Sequence, residues 1–81
     1  MDSNTFMRKL ELVTEANEEF AKLTVETIGD IDSFLLLNDV IDKMLFIDDI
    51  EILEEITEVF SKISNGLVTQ SDIEHVKSLV Q

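Results

Sequence analysis

The chain has no cysteine, no proline, no tryptophan and no tyrosine, two glycines and one histidine. Without cysteine there is neither a disulfide nor a thiolate metal site, so packing alone must hold the fold. Without proline, and with glycine only at positions 29 and 66, few positions interrupt a helix. Side-chain catalysis is poorly provided for. His75 lies three residues after Asp72, within reach on one helix face, and Ser71 is adjacent. The Ser71 hydroxyl is needed as a helix cap, and three near neighbours on one helix do not make the geometry of a catalytic triad. This predicts a protein that is not an enzyme. The most apolar stretch, Phe34 to Ile47, is broken by Asn38, Asp39, Asp42 and Lys43, so it cannot span a membrane. Met1-Asp2-Ser3-Asn4 shows no basic region ahead of an apolar one, which predicts no signal peptide and a cytoplasmic location.

What the chain does have is acid. Its 81 residues, enough for one domain, carry 18 acids against 6 lysines and arginines, a formal net charge of -12. A domain of this size buries only about 60% of its unfolded surface, yet 44% hydrophobic residues suffice for a core. Such a charge repels nucleic-acid phosphates and anionic membranes, so the expected partner is a protein with a basic surface. The acids are concentrated: ten of them, against Lys43 alone, lie between Asp30 and Glu58. Asp30 with Asp32, and Asp48 with Asp49 and Glu51, offer hard oxygen ligands. Neither has the alternating oxygens, central glycine and closing glutamate of a calcium loop, so both are read as helix caps and no metal site is expected.

Hydrophobic spacing predicts four helices, near residues 5–27, 33–45, 49–64 and 71–80. Phe6, Leu10, Val13, Ala16, Phe20 and Leu23 form the first stripe, capped by Ser3 or Asn4 and ended by Gly29. Asp30 or Asp32 caps the second segment, whose inward stripe is Phe34, Leu37, Val40, Ile41 and Met44, widened by Leu35 and Leu36. Asp48 and Glu51 have capping-box spacing ahead of Ile52, Leu53, Ile56, Val59, Phe60 and Ile63, and Asn65-Gly66 stops that run. Ser71-Asp72-Ile73-Glu74 is a capping box ahead of Val76, Leu79 and Val80. No stretch alternates with period two. The expected fold is all-α, a small four-helix bundle with Phe20, Val40, Ile56 and Phe60 in one core.

Asp32-Ser33-Phe34 is the place where chemistry could be attached to a particular atom. A serine in a first helical turn lies near free backbone N–H groups and the positive end of the helix dipole, which favour a phosphodiester. Ile31-Asp32-Ser33-Phe34, followed by Leu35-Leu36-Leu37 and Val40-Ile41, resembles the motif of acyl and peptidyl carrier proteins. Ile50-Glu51-Ile52, and Thr69, Asp72, Ile73 and Val76, resemble later parts of the same family in order. The resemblance implies a small acidic four-helix bundle with 4'-phosphopantetheine attached to Ser33. It also implies that Asp39 and Asp42 belong to an acidic recognition helix.

Two functions follow. In the first, the chain is a discrete carrier protein that holds an acyl or aminoacyl group on the arm at Ser33. Asp32, Phe34, Leu35, Leu36, Asp39 and Asp42 then meet its partner enzymes. In the second, it is a non-enzymatic acidic interaction protein: a docking module, an inhibitor or immunity protein, or a DNA mimic. Ser33 is then an ordinary helix-start residue, and the acidic face with Leu35 and Leu36 is the interface. The same two leucines could instead seal a homodimer.

Overall fold

The helical spacing is realised as five helices in a computed structural model, which describes residues 2–66 and 70–80: α1 (Ser3–Ala21), α2 (Val25–Ile28), α3 (Ile31–Met44), α4 (Ile50–Ser64) and α5 (Gln70–Val80). Thr69 and its place in the family resemblance lie outside the described residues. The described residues contain no strand, and none of their helices is long and apolar enough to cross a membrane.

Capping chemistry sets most of the boundaries. Asp2, rather than Ser3 or Asn4, caps α1 by accepting the Thr5 N–H at 2.8 Å. The first helix does not run on to residue 27. It ends at Lys22, and Thr24 starts the single-turn α2 by accepting the Thr27 N–H. Thr24 is β-branched with a hydroxyl able to cap, so it favours an extended N-cap over a helix interior. Gly29 then takes a left-handed φ of 107° and turns the chain into α3, whose cap is Asp30. Asp49, not Asp48, caps α4. Gly66, at φ 85°, follows its end. Helix α5 already includes Gln70, so Ser71 lies inside its first turn rather than at its cap.

Three contacts ascend together along α1 and α4: Lys9 with Asp48, the Leu12 carbonyl with the Thr57 hydroxyl, and Glu19 with the Ser64 hydroxyl. The two helices therefore run in the same direction. Phe20 near the end of α1 meets Phe34 at the start of α3, so these two run oppositely. Helix α5 packs against α3 and α4, and α2 against α3. The core they enclose holds Leu12, Ala16, Leu37, Val40, Met44, Leu53, Ile56, Phe60, Ile63, Ile73 and Val76, each at most 2% exposed. Val40, Ile56 and Phe60 lie there as the sequence suggests. Phe20 is half-buried at its margin, 5.1 Å from the Phe34 ring and edge-on to Phe60 at 5.9 Å.

The buried face of α1 departs from the expected stripe. Lys9, Leu12, Val13 and Ala16 are buried, whereas Phe6 and Leu10 are exposed. Helix α4 packs on the Leu12 side, where Thr57 donates to the Leu12 carbonyl at 3.2 Å, and this turns Phe6 and Leu10 outward. The buried Lys9 is balanced by Asp48, Nζ to Oδ1 3.0 Å.

Candidate functional site: the outer face of α3

Ser33 occupies the first turn of α3 and is 7% exposed. Four and seven residues on, Leu37 and Val40 carry the same face into the core. Its backbone N–H donates to Asp30 Oδ1 at 2.8 Å, and its hydroxyl donates to Asp30 Oδ2 at 2.9 Å. The Ser33 N–H, and then its hydroxyl, hold the Asp30 carboxyl below the usual aspartate range, against a smaller opposing effect of desolvation. This is a closed N-cap in which both partners are used. A phosphopantetheine arm requires an exposed hydroxyl free to become a phosphodiester, whereas here the Ser33 hydroxyl is buried and bonded to Asp30.

The other residues picked out in the sequence divide between two faces. Phe34 is half-buried against Phe20. Leu36 is half-buried beside a groove between α3 and α5, with a volume of about 330 Å³, whose apolar lining includes Leu35, Leu36, Val40 and Val80. Asp32, Asp39, Lys43 and Lys77 edge this groove, and Lys43 pairs with Asp39 at 2.9 Å. Leu35 and Asp42 face outward.

Beside Leu35 and Asp42, the outward face holds Asn38, Leu45 and Phe46, to which the sequence assigned no role. Ile31, Leu35, Asn38, Asp42 and Leu45 follow at helical spacing and are all exposed, Ile31 at 58% and Leu35 at 55%. The row ends at Leu45 and Phe46, the latter 85% exposed. Because α1 runs opposite to α3, the exposed Phe6 and Leu10 lie toward this same end. The available signal was Leu45-Phe46 itself, two large apolar residues that follow the last buried position of the α3 stripe.

The remaining candidates are local pairs. His75 Nε2 lies 3.6 Å from Glu55 on α4, both of them exposed. Asp48 pairs with Lys9 and Asp49 caps α4, and among the described residues no three His, Cys, Asp or Glu side chains are grouped to hold a metal ion. No protein-family model matches the chain, and no curated protein and no solved structure matches it.

Proposed function

We propose that the chain is a non-enzymatic acidic docking module that binds a basic surface of a partner protein through the outer face of α3. One observation carries this reading: Ile31, Leu35 and Leu45 stand exposed in a single row with Asp42 among them and Asp32 beside them. Among the described residues, neither Asp32 nor Asp42 has a basic side chain within ion-pair distance. Apolar side chains give such a contact its affinity, and unneutralised acids give it speed and choice of partner. Inhibitors, immunity proteins and DNA mimics fall within this class. On this reading the four longer helices form a four-helix bundle, with α2 an added turn, and the bundle is a rigid support for the face.

The carrier protein is the second reading. It is favoured by the position of Ser33 at a helix start beside an apolar groove that could shelter an acyl chain. The burial of Ser33 and the engagement of its hydroxyl by Asp30 weigh against it. Intact mass after co-expression with a broad-specificity phosphopantetheinyl transferase separates the two. The docking module keeps its unmodified mass. A gain of one phosphopantetheine, abolished by Ser33→Ala, would establish the carrier instead.

A further inference from the structure

We infer that the partner segment is a basic amphipathic helix that lies along the α3 row, with its main apolar side chain seated on the Leu45–Phe46 turn. This rests on the docking-module reading and adds the place and the chemistry of the contact. The turn is held in shape rather than loose. The Phe46 N–H donates to the Lys43 carbonyl at 3.0 Å and the Ile47 N–H to the Met44 carbonyl at 3.2 Å, which continues the helical coil past Met44. Two residues further, Asp48 is tied to the buried Lys9 at 3.0 Å. Phe46 is therefore presented at a fixed place at very high exposure, which costs solvation and is offset when a partner covers it.

The occupant follows from charge and shape. Asp42 stands on the row, and Asp2 and Asp49 cap the helices that start at this end. The two lysines nearby are already committed, Lys9 to Asp48 and Lys43 to Asp39. A second copy of the chain would bring an acidic rim against an acidic rim, whereas lysines and arginines around an apolar centre would complement it. The exposed row from Ile31 to Leu45 is a straight ridge of about 21 Å at the helical rise per residue. It suits a partner helix with apolar anchors at three- and four-residue spacing.

The test uses the isotopically labelled full chain and three synthetic peptides. One is an amphipathic helix with leucines on one face and lysines on the other. The second has the same composition scrambled so that no apolar face forms, and the third has glutamates in place of the lysines. The leucine–lysine peptide should shift the amide signals of Leu35, Asp42, Leu45 and Phe46. Phe46→Ser should weaken its binding by about tenfold or more while circular dichroism stays unchanged, as befits an exposed anchor. The other two peptides should bind far more weakly. If the leucine–lysine peptide binds elsewhere and Phe46→Ser has no effect, this placement is overturned and the docking-module reading stands. If it does not bind at all, both fall. Equal binding of the scrambled or glutamate peptide overturns the assigned chemistry. A concentration-dependent dimer abolished by Phe46→Ser would make a second copy the occupant and overturn the inference.

Discussion

Asp30 and Ser33 show how much a residue's direction matters to what it can do. A serine after an acid at a helix start fits both a modification site and a cap, and the sequence alone shows no side-chain direction. In the fold Ser33 points along the Leu37–Val40 face, and Asp30 uses both of its protons. The Asp30 carboxyl, held low by the Ser33 N–H and hydroxyl, stabilises the fold above the ordinary aspartate range. That contribution is lost as pH falls through its lowered folded-state value. Asp30→Ala should lower the melting temperature at neutral pH, and the gap from wild type should narrow in acid. A gap that stays constant down to strong acid would mean that the carboxylate does not act through its charge. At the other extreme of burial, Phe60 is fully enclosed, and Phe60→Ala should cost about 3–5 kcal/mol by urea or thermal unfolding. A soluble variant with an unchanged melting temperature would contradict its central place.

At the scale of elements, the all-helical class was readable because stripes, glycine stops and acidic caps agree along most of the chain. Gly29 and Gly66 take left-handed conformations where the stops were expected, and α4 lies within a residue of its expected bounds. Helix α1 was less legible. Phe6 and Leu10 fit a helical stripe as well as Leu12 does, and the choice between them is made by α4, a partner remote in sequence. The same remoteness hid Lys9, whose balancing carboxylate is 39 residues away. Of the outer face of α3, Leu35 and Asp42 were legible, but the Leu45–Phe46 end was not, because apolar residues on the solvent side look like a continued core stripe until packing directions are known. Lys9 yields a test. Lys9→Met replaces a buried charge with an apolar side chain of similar length and should hold or raise the melting temperature. Asp48→Ala leaves the ammonium without its partner and should lower it. If Lys9→Met lowers stability as much as Asp48→Ala does, the pair itself holds the α3–α4 connection.

For the whole molecule, charge is the dominant feature. Between Asp30 and Glu58, Asp39 and Asp48 pair with lysines, Asp30 and Asp49 cap helices, and Glu55 faces His75. The other acids of this span have no basic side chain within ion-pair distance among the described residues. Their mutual repulsion opposes folding, and salt screens it over about 10 Å at moderate ionic strength. The melting temperature should therefore rise from low to physiological salt, and a flat or falling trend would mean the repulsion is already compensated. The same uncompensated field is what a docking module uses to draw in a basic partner. The most direct measurement is the association rate of a leucine–lysine amphipathic peptide with wild type and with Asp39→Lys/Asp42→Lys, by stopped flow across ionic strength. Association should slow as salt rises, and charge reversal should slow it at low salt with the helical fold intact. An association rate indifferent to both salt and charge reversal would contradict this.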